Sequence, residues 1–224
     1  MAGIYSVHDA IIGVQSALGG RGGGLRWLLR DEFTTDRAAG AVDGTAAEPG
    51  PGTRTVVDTS SIISISGGEA VFNGSASAND GLYYGPYTRQ GGTIALWSMP
   101  DRTTVGNSVR MGLSDSSVAG SGIDCGFDWA TSTRVRIKSG VAVVDASLPV
   151  GAATKFAAAA RATGGMLFVN ISGNWTLVYV YPSGTGVLYW KTYLASALVN
   201  FTVDSVRIPD ALWLPTPLVS YGFD

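Results

Sequence analysis

From about residue 25 onward the chain is a succession of short β-prone runs separated by Gly, Ser, Asn and Pro. That punctuation restricts the fold more than any other feature. Ile62–Ile65, Ala70–Asn73, Thr93–Met99, Ser108–Leu113, Ile123–Trp129, Met166–Ile171 and Trp175–Tyr181 are such runs. Ser139-Gly140, Ser172-Gly173-Asn174 and Ser183-Gly184 are turn signals between runs of this kind. Several runs alternate. Arg134-Val135-Arg136-Ile137-Lys138 sets its cations on one face and its aliphatics on the other. Phe201–Ile208 begins in alternation as well. Half-buried antiparallel strands have this pattern. Many short strands at even spacing predict a β-sandwich or barrel, not βαβ units. Lys155–Ala162 is the one ambiguous run, because Ala is the best helix former. Gly164-Gly165 and the strand after it favour a hairpin arm, with the alanines allowing close packing between sheets.

A chain of 224 residues is one domain of ordinary size for an all-β sandwich. It can bury roughly 70% of its extended-chain surface without disulfides. Its single cysteine, Cys125, reads as a small core residue. The net charge is −2 with no basic block, so the footprint of a nucleic-acid binder is missing. No apolar run reaches the roughly 18 residues of a membrane span. No basic segment precedes an apolar one at the N-terminus, so no signal peptide is expected. The sequons at Asn73, Asn170, Asn174 and Asn200 then read as ordinary polar residues of a β protein. Charged residues are 14% of the chain, against about 25% in a typical soluble domain. Such a shortage suits surface hidden against neighbouring subunits or a sandwich with two well-covered faces; a homo-oligomer is expected.

The side chains that perform catalysis are scarce. The chain has one His, one Cys and only Glu32, Glu48 and Glu69 as glutamates. A non-enzyme is therefore expected, with no cofactor. The best acidic pair is Asp124 and Asp128 on one face of one strand, which sets them roughly 13 Å apart. Glycosidase carboxylates stand about 5–5.5 Å or 6.5–9.5 Å apart, so a second strand would have to supply the partner. Asn79-Asp80, Asp101 and Asp115-Ser116-Ser117 could offer oxygens to Ca²⁺, but none forms a dense ligand loop. His8, the one possible triad base, falls outside the β region. Tyr83, Tyr84 and Tyr87 form the richest aromatic cluster and are candidates for glycan or protein contact. Trp97, Trp129, Trp175, Trp190 and Tyr193 read mainly as core.

The termini differ from the centre. Ile4, Val7, Ile11, Val14 and Leu18 are spaced as a short heptad seam, which predicts a helix at about 7–18. Gly19-Gly20-Arg21-Gly22-Gly23-Gly24 makes a flexible tether. The helix packs either on its own sandwich or on another subunit, and the tether favours the second. Trp213 and Leu214 lie in an apolar, Pro-stiffened C-terminal segment suited to a strap or an extended contact arm. The expected division is a helix with tether over 1–24, a sandwich over 25–210 and an arm over 211–224.

Asp31-Glu32-Phe33, a Gly/Pro-rich stretch, Ile62–Ile65 and Ser66-Gly67-Gly68-Glu69-Ala70 leading into Val71-Phe72 resemble the opening of laminin G-like, concanavalin A-like jelly rolls. Leu167–Asn170 to Trp175–Leu177 and Val206–Pro209 resemble their late hairpin and closing strand. The resemblance covers about residues 28–210. It implies an all-β, antiparallel jelly-roll sandwich of two stacked sheets, here with a short N-terminal helix. Domains of this kind occur in phage tail, fibre and other virion proteins and in bacterial surface proteins. The resemblance thus implies a non-enzymatic virion structural or adhesive protein (capsid decoration, tail or fibre) that assembles through its termini with copies of itself and other virion proteins. The alternative is a lectin-like carbohydrate-binding module that takes glycans, extracellular or at the cell surface. A glycoside hydrolase ranks last: family enzymes carry a Glu-x-Asp-x-(x)-Glu strand, and this chain has no Glu after Glu69.

Overall fold

The computed structural model describes residues 27–87, 93–106, 109–117, 122–140, 142–161, 164–181 and 187–210. All its regular elements there are strands, in three antiparallel sheets. A six-stranded sheet runs in the order β1 (Trp27–Asp31), β16 (Ser205–Pro209), β6 (Thr93–Ser98), β11 (Lys155–Arg161), β12 (Gly164–Ile171), β13 (Asn174–Tyr181). A seven-stranded sheet runs β10 (Ala142–Pro149), β9 (Arg134–Gly140), β8 (Ile123–Thr131), β7 (Val109–Ser114), β14 (Leu188–Leu194), β5 (Gly81–Tyr87), β2 (Thr55–Val57). A three-stranded sheet holds β15 (Ala197–Val203), β4 (Glu69–Ala76) and β3 (Ile63–Ser66). The chain passes from β5 to β6 to β7, switching between the two large sheets each time. That is the connectivity of a jelly-roll sandwich.

The fold class read from the sequence needs one correction. Among the described residues there is no helix. The helix expected at 7–18 lies outside them, as do Ile4, Val7, Ile11, Val14, Leu18, Trp213 and Leu214. The alanine run is a strand. Ala158 and Ala160 belong to the main core, while Ala157 and Ala159 pack with Ile94 and Phe168 in a smaller cluster on the other face. Phe201–Ile208 is not one strand. It is divided at Asp204 between β15 and β16, which belong to different sheets. The Asp204 N–H donates to Ser98 O, so the chain joins β6 at that point.

Aromatic rings hold the two large sheets together. Trp97 of β6 lies 6.0 Å from Phe127 and 6.1 Å from Trp190, both of the facing sheet. Phe156 of β11 meets Trp129 edge-on at 5.2 Å and Phe127 at 5.6 Å. Such edge-to-face pairs are the arrangement ring quadrupoles favour. Cys125 sits in the same layer, with its Sγ 3.7 Å from Ala159 O of the opposite sheet. It is the core residue expected from the sequence.

One buried ion pair ties the strands to the long entry loop. Asp31, at the end of β1, accepts Nε and Nη2 of Arg54 at 2.7 Å each and the Tyr84 hydroxyl at 2.6 Å. It also accepts the backbone N–H of Phe33 and of Glu48. Both charged side chains have zero exposure. Taking one partner out of such a pair leaves an uncompensated charge in the core. Asp31→Ala is expected to cost about 3–5 kcal/mol of stability. Tyr84→Phe, which removes one donor of several, is expected to cost about 1–2 kcal/mol. Denaturant unfolding of the two variants checks the order.

Candidate functional site

Strand alternation decides which side chains of the seven-stranded sheet enter the core. Val109, Met111 and Leu113 of β7, Phe127 and Trp129 of β8, Val135 and Ile137 of β9, and Leu188, Trp190 and Leu194 of β14 all do. The residues between them turn to the outer face. There the register aligns them in rows. Tyr193 pairs with Arg110, Arg110 with Asp128, and Asp128 with Arg136. At about 4.8 Å per strand this row is some 15 Å long. In the next row Tyr83, Lys191, Gly112, Gly126 and Lys138 follow one another. A Cβ at Gly112 would fall 2.5 Å from Cys125 O and 2.6 Å from Gly126 Cα. Only glycine lets the strands approach in this way.

Asp128 is the centre of the first row. Its side chain is 1% exposed, against 27% for both Arg110 and Arg136. Arg136 Nη2 donates to Asp128 Oδ2 at 2.9 Å, and Arg110 Nε stands 3.6 Å from the same oxygen. The Arg110 guanidinium also lies 5.1 Å from the centre of the Tyr193 ring. Lys138, itself buried, is the third cation of the group. Burial pushes its ammonium below the ordinary lysine range, Arg110 and Arg136 push the same way, and Asp128 pulls back. Arg110 Nε, Arg136 Nε and Asp128 Oδ1 are buried and make no hydrogen bond.

A second titratable group lies where β7 and β8 begin to separate. The Asp115 N–H donates to Asp124 Oδ2 at 2.6 Å. Burial holds the Asp124 carboxyl above the usual range, and the charge of Asp115 adds to the effect. Lys191 is fully buried and donates to Ser116 O at 3.3 Å. Burial pushes its ammonium down to about 8, against the attraction of Asp124 and Asp115.

Tyrosines complete the face on the β5–β14 side. Tyr189 and Tyr193 are half-buried, and the Tyr189 ring lies against the backbone at Gly85. Tyr83 is 4% exposed and donates its hydroxyl to Asn79 O at 3.0 Å. Of Tyr83, Tyr84 and Tyr87, Tyr83 is the one on this face. Tyr84 and Tyr87 belong to the core, because the segment they share is strand throughout and not an exposed loop. They offer a ligand no surface.

Asp124 and Asp128 were visible as candidates in the sequence, whereas Tyr193, read mainly as core, lies half-buried on the outer face. The partners that give Asp128 its setting, Arg110 and Arg136, were not singled out. Tyr189 and Lys191 were also missed, although the alternation Leu188-Tyr189-Trp190-Lys191 carried the signal. Among the described residues no three His, Cys, Asp or Glu converge as a metal site. The Asp80 carboxylate accepts from Thr59 and Ser77, and that of Asp101 from Thr103. A cavity of about 420 Å³ opens elsewhere, between 149–154 and 170–173, and its lining carries no ionisable side chain.

No family model matches the sequence, and no curated protein matches it. Solved structures do resemble the fold. The exoplasmic/lumenal domain of VIP36, in its Ca²⁺/Man2-bound form, superposes with a TM-score of 0.50 at 7% identity, over 80% of this chain and 89% of that one. A protein solved in work on endo-acting O-glycanases of the human gut microbiota gives 0.50 at 11% identity, over 82% and 99%. Trypanosoma rangeli sialidase gives 0.48 at 12% identity over 97% of this chain, which spans only 39% of the sialidase chain. At these identities the likeness is one of fold, that of an antiparallel jelly-roll β-sandwich.

The Lys191 setting has a measurable consequence. In the unfolded chain the ammonium keeps its proton up to about 10.5, whereas in the folded chain it loses it near 8. The unfolded state thus holds more protons between those values, and stability rises with pH through that window. The cost of burying the charge is fully present below pH 8. Denaturation at pH 7.5 and pH 9, below the range where the buried tyrosines begin to oppose it, is expected to show a gain on the order of 1–2 kcal/mol, which Lys191→Met abolishes.

Proposed function

We propose that the protein is a carbohydrate-binding module that takes a glycan on the outer face of its seven-stranded sheet. The observation that carries this reading is the composition of one sheet face. Half-buried tyrosine rings on β14 stand beside a row of charged, hydrogen-bonding side chains on β7, β8 and β9. Sugars present apolar ring faces and polar rims, and sites for them combine aromatic surface with a few fixed polar groups. The strands hold these groups in register, so little conformational freedom is lost on binding. The similarity to a VIP36 domain solved with Man2 supports the same reading.

The virion-assembly reading rested on the resemblance, the low charge, the scarcity of catalytic side chains and the two terminal segments, the last of which lie outside the described residues. No feature of the sheets favours it over binding. A hydrolytic reading has one observation behind it: the raised Asp124 carboxyl beside Asp115, a property general acids need.

Screening the full chain on a broad glycan array is expected to give saturable binding. Tyr193→Ala is expected to weaken it about tenfold or more, since one aromatic contact is worth about 1–2 kcal/mol. Binding that survives Tyr193→Ala and Tyr189→Ala together places the site elsewhere. No reducing ends are expected from any bound glycan. Turnover that is lost in Asp124→Asn would put the hydrolytic reading first.

A further inference from the structure

We propose that the Arg110–Asp128–Arg136 row, with Lys138 beside it, recognises an anionic glycan, one whose sugars carry a carboxylate or a sulfate ester. The inference rests on the carbohydrate-binding reading above and adds the charge of the ligand.

Two guanidinium groups, those of Arg110 and Arg136, share the buried carboxylate of Asp128. The same fold shows what a closed buried charge pair looks like. Asp31 and Arg54 meet through two short hydrogen bonds with zero exposure on either side, and Tyr84, Phe33 and Glu48 donate to what remains of the carboxylate. The outer-face row has no such closure. Arg110 Nε and Arg136 Nε are buried donors without an acceptor. These two atoms lie below the surface, so a ligand meets the arginines only through the part that stays exposed. Both guanidinium side chains keep 27% of their surface, which leaves them open to a partner from above.

The chemistry of that partner follows. Guanidinium donors in excess over acceptors call for an acceptor-rich group, and the planar fork of arginine fits the paired oxygens of a carboxylate or sulfate. A neutral sugar would cover these cations and strip their water without bringing a counter-charge, which is unfavourable. An acidic sugar supplies it. Asp128 has a positioning role: it holds Arg136 by a 2.9 Å hydrogen bond and keeps Arg110 within 3.6 Å. Arg110 is held from its other side by the Tyr193 ring at 5.1 Å. The acidic group is thereby placed next to the ring on which the sugar can stack.

The test is calorimetric titration of the full chain with four ligands: oligogalacturonate, its methyl ester, a sulfated neutral oligosaccharide, and polyglutamate as a polyanion that is not a sugar. Either acidic sugar is expected to bind at least about tenfold more tightly than the methyl ester. That affinity is expected to fall several-fold as the salt rises from about 0.02 to 0.3 M. The two acidic arms separate carboxylate from sulfate. Arg136→Lys keeps the charge and loses the fork, so it is expected to weaken binding about tenfold with Tm unchanged. Equal, salt-insensitive binding of acid and ester overturns the inference and leaves the carbohydrate reading standing. Polyglutamate binding as tightly as the acidic sugars also overturns it. Binding of no sugar at all removes both.

Discussion

Asp31 is the residue on which the arrangement of the strands depends. It stands at the end of β1 in the six-stranded sheet, and its carboxylate is bonded to Tyr84 on β5 of the seven-stranded sheet and to Arg54 just before β2. One buried group thereby fixes the first strand, the long entry loop and the facing sheet relative to one another. It also stabilises a local conformation. Phe33 has a φ of 50°, a region that bulky residues rarely adopt, and its N–H donates to Asp31. The Arg54 guanidinium closes over the Phe33 ring at 5.5 Å. The strain at Phe33 persists because charge, hydrogen bonds and a ring contact all select the same geometry.

The inner and outer faces of the seven-stranded sheet are two readings of the same strands. Phe127 points inward to Trp97 and Phe156, and Asp128, the next residue, points outward to Arg136. Interlocked rings on the inside leave the strands no freedom to slip, because a shift of one residue would bring every outer side chain into the core. The positions of Arg110, Asp128 and Arg136 are thus set by packing they take no part in. A site built this way is preorganised by its scaffold.

This division also explains what could be read from the sequence. Alternation is local, so the cations of Arg134–Lys138 fell on one face as the spacing indicated, and the alanine run packed between neighbours as a strand. Register is not local. That Asp128 meets Arg110 on one side and Arg136 on the other depends on two hairpins closing at particular lengths, and no spacing in the sequence states it. Tyr84 shows the same limit. In isolation Tyr83-Tyr84-Gly85-Pro86-Tyr87 looks like an exposed aromatic loop; pairing with β14, packing on Trp190 and the hydrogen bond to the remote Asp31 make Tyr84 a core residue. The change at Asp204 from one sheet to another, inside a single alternating run, depends on a contact with Ser98 more than a hundred residues earlier.

The buried charges separate by how completely they are answered. Asp80 accepts from Thr59 and Ser77 through neutral donors and needs no counter-ion. Asp31 and Arg54 cancel in charge and satisfy each other's geometry. Such groups resemble the buried polar contacts that hold any fold together, fully bonded and inert. The outer row differs in kind. Its two arginines share one carboxylate, and both keep access to solvent. Half-exposed guanidinium groups beside the half-buried Tyr189 and Tyr193 are the arrangement on which the proposal of an anionic ligand rests.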